Sequence, residues 1–226
     1  MREDRWEGIY RRLITAYIAF GLALAGWHAM MGDWYLMAQS LGTMAALGAV
    51  LGLLKWMGIR PVYSCYSVIV VFLFASYTLG VACALYKVLP GYDKVLHMLS
   101  GTLTMMLALP LFYALKHGHR IEQSDCLLAV GFCLTTALAV AGVWEMAEFA
   151  FGLVTPLDPQ CVQATGVTDT MKDMLVCTLG ALMALPQLFR FYRTGEGGWL
   201  FDGTREFVEK NLISQRNAAP LRRGEG

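Results

Sequence analysis

CLLAVGFCLTTALAVAGVWEMAEF, residues 126–149, is the stretch that decides the fold. No side chain from Cys126 to Trp144 carries a charge. At about 1.5 Å of rise per residue, roughly 20 helical residues cross the ~30 Å hydrocarbon core of a bilayer. This run, extended to about Phe151, is long enough, and Ser124 and Asp125 precede it where N-caps belong. Glu145 and Glu148 then interrupt the apolar pattern at its far end.

Five other runs share that character: Leu13 to Met31, Tyr35 to Leu54, Tyr66 to Tyr86, Val95 to Leu115 and Thr170 to Phe189. Turn formers separate them, among them Gly32-Asp33-Trp34, Gly58 to Pro61 and Pro90-Gly91. The first run exceeds the roughly 7–15 apolar residues of a signal-peptide core, so it reads as an uncleaved helix despite Arg11 and Arg12. The expected fold is all-α, an integral membrane bundle of about six transmembrane helices in residues 1–192. A cytoplasmic tail, 193–226, follows. There, Gly195 to Gly198 form a joint, and Trp199, Leu200, Phe201, Phe207 and Val208 alternate with Arg205, Glu206, Glu209 and Lys210. That pattern suits a short amphipathic helix on the membrane surface, with disorder expected from Asn217.

Composition agrees. Of 226 residues, 57% are hydrophobic and 15% charged, against about 25% charged in a soluble domain. A net charge of +1 without a basic stripe excludes nucleic acid as a partner. Cysteines 65, 83, 126, 133, 161 and 177 show no CxxC pairing and mostly fall in apolar runs, so they read as free thiols.

Arg2, Arg5, Arg11, Arg12, Lys55, Arg60, Lys116, Arg120, Arg190 and Arg193 gather at one set of helix ends, while Lys87, Lys94 and Lys172 stand at the other. The positive-inside rule then puts both termini in the cytoplasm of a bacterial inner membrane. Expected partners are membrane lipids and either a second copy or a membrane partner protein. Gly42, Ala46, Gly48 and Gly52 give the second span a small-residue face for close packing within the chain or for a dimer.

Three ionisable pairs stand at the edges of apolar spans: Asp93 and His97, Glu145 and Glu148, and Asp169 and Asp173. Each is spaced i,i+3 or i,i+4, so its members share one helix face. The topology puts all three pairs at the outer ends of their helices. Five carboxylates and an imidazole at one depth would repel strongly if ionised, and a divalent metal ion, protons or a cationic substrate would relieve them. This donor set suits Mg, Mn, Fe or Zn. Asp93 and Asp169 also stand where plain N-caps belong. His28 near the outer end of the first span is a further candidate ligand or base, and Tyr86, Tyr92 and Gln163 are candidate supporting donors. His117 and His119 read as solvated loop residues, and no GxSxG, HExxH or P-loop pattern occurs.

At these segments the chain resembles the YjdF-like family of bacterial multi-spanning inner-membrane proteins, and more distantly the VanZ-like proteins. The resemblance rests on Tyr92, Asp93, His97 and Gly101, then Glu145, Glu148 and Phe149, then Asp169, Thr170, Asp173, Met174, Gly180 and Ala181. It departs at Ala164 to Thr168, where the family often carries Gln-Gly-Asp. The resemblance implies a shared polar site and names no reaction.

The functional expectation is a carboxylate and histidine site at the outer membrane face. It would bind a divalent metal through Asp93, His97, Glu145, Glu148, Asp169 and Asp173, and act on a lipid or envelope-linked substrate. Glu145 or Glu148 would be the base and His97 a ligand or acid. The alternatives are a cation or proton transporter or sensor, and a non-catalytic scaffold or partner subunit.

Overall fold

The computed structural model describes residues 2–214, so the disorder expected from Asn217 lies outside the described residues. Helices account for most of them. They are α1 (Arg2–Met30), α2 (Trp34–Trp56), α3 (Tyr63–Leu73, running on as a π-helix over Phe74–Ala82), the single turn α4 (Leu85–Val88) and α5 (Tyr92–Leu115). After a 3-10 turn at Gln123–Asp125 come α6 (Cys126–Val154), the single turn α7 (Val162–Thr165), α8 (Thr168–Thr194) and α9 (Gly198–Phe207). Among the described residues, six helices are long and apolar enough to cross a membrane, which makes this a multi-pass membrane protein. The spans run past several expected ends, because membrane helices continue into the interface wherever nothing breaks them. The third is the exception: Ala84 adopts φ 58°, which ends it before Tyr86.

The chain divides into two compact units between Asp93 and Lys94. In the first, Tyr17, Leu47 and Val70 form a core on which Leu13, Met44 and Phe74 pack. The Tyr17 hydroxyl donates to the Thr43 carbonyl at 3.0 Å, so this buried phenol is satisfied. Gly42, Gly48 and Gly52 behave differently from expectation, since a Cβ on any of them would meet nothing within 4 Å. Among the described residues, none of these three glycines makes a close helix approach.

The close approach lies in the second unit. A Cβ on Gly101 of α5 would run into the Cys177 carbonyl of α8, and one on Gly180 of α8 would run into the Met98 carbonyl of α5. Thr102 Oγ1 donates across the seam to the Gly180 carbonyl at 2.8 Å. With no hydrophobic effect between helices in lipid, such backbone contact is what holds them together. On α6, the residues Ala129, Cys133, Ala137, Ala141 and Glu145 are buried at i,i+4 spacing, and this helix packs on α8. Pro110 and Pro186 are accommodated inside α5 and α8.

The C-terminal ends of α5 and α8 and the start of α6 are tied by a polar network. Tyr113 and Tyr192 share a 2.6 Å hydroxyl–hydroxyl hydrogen bond, and the Tyr113 hydroxyl reaches Asp125 Oδ2 at 3.4 Å. Lys116 Nζ donates to Asp125 at 2.8 Å and to Glu122 at 3.0 Å. Asp125 is the N-cap residue of α6, as expected, but its side chain makes no cap hydrogen bond. Its carboxylate turns back to accept the Glu122 N–H at 3.0 Å. Burial pulls the Lys116 ammonium down, but its bonds to Asp125 and Glu122 outweigh that and hold its pKa above the usual lysine value. Asp125→Asn should lower stability by about 2 kcal/mol, the worth of a charge-assisted hydrogen bond, because Lys116 keeps Glu122. Thermal unfolding in detergent would read this.

The tail helix α9 departs from the expectation of an apolar face resting on lipid. Leu200, Phe201 and Val208 are buried in the unit, while Trp199 and Ile213 remain exposed. Gly195 at φ +79° ends α8 and leaves room for Arg205, whose guanidinium lies 5.5 Å over the Phe191 ring.

Candidate functional site

The division between units falls in the first turn of α5, so Asp93 rides on the same helix as His97. One helical turn separates them, which puts both on the face that α8 meets through Gly101 and Gly180. Asp173 comes from the second turn of α8 and is 3% exposed. Asp93, His97 and Asp173 each present a ligand atom within 4.8 Å of the others, and this is the one group of metal-ligand type among the described residues. His97 Nε2 stands 3.8 Å from Asp173 Oδ1. Such an Asp-His-Asp cluster can coordinate a divalent metal.

A residue that the sequence analysis counted only as a helix-end cation lies against it. Lys94 Nζ lies 2.7 Å from Asp169 Oδ1, 2.6 Å from Asp173 Oδ1 and 2.8 Å from Asp173 Oδ2. Its side chain is about a quarter exposed, that of Asp169 17%. The signal for it was available: an Asp-Lys step at a helix start opposite two aspartates places an ammonium where carboxylates would repel. Asp169 is not an N-cap, since Val167 holds that position in α8 with no side-chain cap.

The other expected ligands are engaged elsewhere. Glu145 is 5% exposed. Gln160, from the loop after α6, donates through Nε2 to the Glu145 carbonyl and to its Oε2, both at 2.9 Å. Glu145 Oε1 is buried with no hydrogen-bond partner, an arrangement costly for an ionised carboxylate. Glu148 accepts from Trp144 Nε1 at 2.8 Å. Neither glutamate, nor Asp169, belongs to the compact Asp-His-Asp group. His28 lies on α1 in the first unit, with its Nε2 buried and unpartnered. The Tyr92 hydroxyl is used by the Ala75 carbonyl at 2.8 Å, and Tyr86 packs edge-on against the Tyr92 ring. Gln163 is exposed, and its backbone N–H donates to Asp158. The amide that supports a site residue is therefore that of Gln160, three positions earlier. Cys161 next to it is exposed. Burial pushes its thiol up, and the Asp169 and Asp158 carboxylates add to the effect.

Below the cluster the α5–α8 seam loses polarity quickly. Ser100 donates to the His97 carbonyl and lies 3.7 Å from Cys177 Sγ, and Thr102 donates to the Gly180 carbonyl. Beyond it Met105, Met106, Leu109, Ala184 and Leu188 are at most 1% exposed and apolar, until the paired tyrosines at the other end.

Comparison with known proteins gives one match. No curated protein and no solved structure matches. A family sequence profile, described as "Predicted membrane protein (DUF2238)", matches residues 10–194. The match covers the cluster and all six spans except the first residues of α1, and it is coarser than the YjdF-like and VanZ-like resemblance drawn from the motifs. The chain belongs to this DUF2238 family of multi-spanning membrane proteins.

Proposed function

We propose that the protein holds a divalent metal ion between Asp93, His97 and Asp173 at the outer membrane face, and acts there on a lipid or envelope-linked substrate. The observation that carries this reading is the convergence of three ligand atoms within 4.8 Å of one another at helix starts brought together by two glycines. A bound metal would polarise a phosphoryl or carbonyl oxygen. Glu145 is the candidate base because Gln160 fixes one of its oxygens and leaves the other without a partner. Glu148 is the alternative base, nearer solvent.

Purified protein, washed free of loose ions, should carry about one equivalent of Mn, Fe or Zn by elemental analysis, and His97→Ala should lose it. Wild-type protein without metal, after purification in metal-supplemented buffer, would end this reading. Transport is disfavoured by the apolar layer from Met105 to Leu109 and Ala184 to Leu188. The scaffold reading has one observation in its favour, the Lys94 bridge between α5 and α8. It wins if no metal binds and Asp173→Asn unfolds the protein.

The outer-face assignment has its own test. A membrane-impermeant maleimide applied to intact cells should label Cys161, the exposed cysteine, and Cys161→Ser should abolish labelling. Because the thiol is pushed above its ordinary value of 9.0, labelling should still accelerate as pH rises through 9. Labelling only after the cells are opened would reverse the orientation.

A further inference from the structure

Lys94 holds both carboxylate oxygens of Asp173, the same residue a metal would use, which raises the question of where its ammonium goes when a metal arrives. We infer that Lys94 is an internal competitor of the bound cation, moving from a bridge between Asp169 and Asp173 to Asp169 alone. This rests on the metal reading above and adds a regulation to that site.

Both carboxylates already hold the ammonium, at 2.7 Å for Asp169 and at 2.6 and 2.8 Å for the two oxygens of Asp173. Asp173 also belongs to the compact ligand group, whereas Asp169 does not. A cation bound by Asp93, His97 and Asp173 must therefore take Asp173 from Lys94. It need not take Asp169, four residues away on the same α8 face, which remains as a resting place for the ammonium. The ammonium now contacts both Asp173 oxygens, so a metal on either one meets a like charge at close range, and its binding is favoured by withdrawal of Lys94 from Asp173. The ammonium keeps the acidic cluster compact when no metal is there, and it sets a threshold that a monovalent ion, bringing no more charge than Lys94 itself, does not clear. Lys94 acts through Asp173 and touches neither metal nor substrate, so it is a specificity-determining residue and not a catalytic one.

The arrangement predicts opposite effects from substitutions at two residues that are not metal ligands. Mn(II) titration of the full-length protein in detergent, read by electron paramagnetic resonance, should show Lys94→Met binding about tenfold or more tighter than wild type. Asp169→Asn removes the resting place, so the ammonium stays on Asp173 and Mn(II) binds about tenfold weaker. Lys172→Met deletes the same charge at an exposed neighbouring position and should change affinity little, which separates displacement from general electrostatics. If Lys94→Met does not fold, Lys94→Arg keeps the ion pairs with a planar fork and should bind Mn(II) no tighter than wild type, with Asp169→Asn still weaker. Wild-type binding with Lys94→Met unchanged or weaker, or with Asp169→Asn tighter, overturns the displacement and leaves the metal site standing. Absence of Mn(II) binding in wild type and in every variant overturns both.

Discussion

Gly101→Ala should be strongly destabilising. Its Cβ would enter the Cys177 carbonyl, a backbone atom that no rotamer change can move aside. Relief requires α5 and α8 to separate, which also breaks the Thr102 bond to the Gly180 carbonyl. Overpacking of a tight core costs about 1–3 kcal/mol when side chains can yield. Here only backbone can, so a loss of about 3 kcal/mol or more is expected. Gly180→Ala should match it, because its Cβ meets the Met98 carbonyl in the mirror relation. Thermal unfolding in detergent should show both variants strongly destabilised, while Gly48→Ala, which meets open space, stays near wild type. Equal effects at Gly48 and Gly101 would contradict the seam. A Gly48 effect confined to the oligomeric state would instead identify the second span as a face between copies.

Asp173→Asn should be the second large effect, and it separates into parts. Asp173 is 3% exposed and gives Lys94 both of its oxygens. Breaking a buried ion pair from one side costs roughly 3–5 kcal/mol when the remaining charge is stranded. Lys94 is only partly buried and retains Asp169, so about 2–3 kcal/mol is the expectation here. Asp169→Asn should cost less, since that carboxylate is more exposed and Lys94 keeps the two Asp173 contacts. The double substitution Lys94→Met with Asp173→Asn should recover part of the loss, because no ammonium is then left without its partner. Denaturation of the four proteins gives the coupling directly. A coupling near zero would mean that the pair is solvated and holds nothing together.

The sequence made the six spans legible because hydrocarbon imposes a length and a polarity that few other environments do. It made Asp93, His97 and Asp173 legible because charges at apolar helix edges must find partners. Depth alone could not say which face each helix turns inward. Glu145 and Glu148 shared the predicted level, yet Glu145 is bonded to Gln160 and Glu148 to Trp144. Lys94 was hidden by a bias in reading charge: a lysine at a helix end is counted for orientation, and its role as a counter-ion needs the helix 75 residues later in sequence. The glycine pattern misled in the opposite direction. Gly48 and Gly52 form the recognisable motif and face open space among the described residues, whereas Gly101 and Gly180, each alone in its helix neighbourhood, make the contact. Close approach is a property of two helices, and one helix's spacing records only half of it.

The run of Met105, Met106, Leu109, Ala184 and Leu188 between the charged end and the tyrosine end has an electrical consequence. A membrane that stores energy as a voltage discharges through any continuous line of ionisable or hydroxylated groups, and these five buried side chains contribute none to such a line. On the proposed metal reading, the acidic end would exchange ions with one aqueous compartment while this apolar layer holds the voltage across the bilayer, as an insulator keeps the two plates of a capacitor apart.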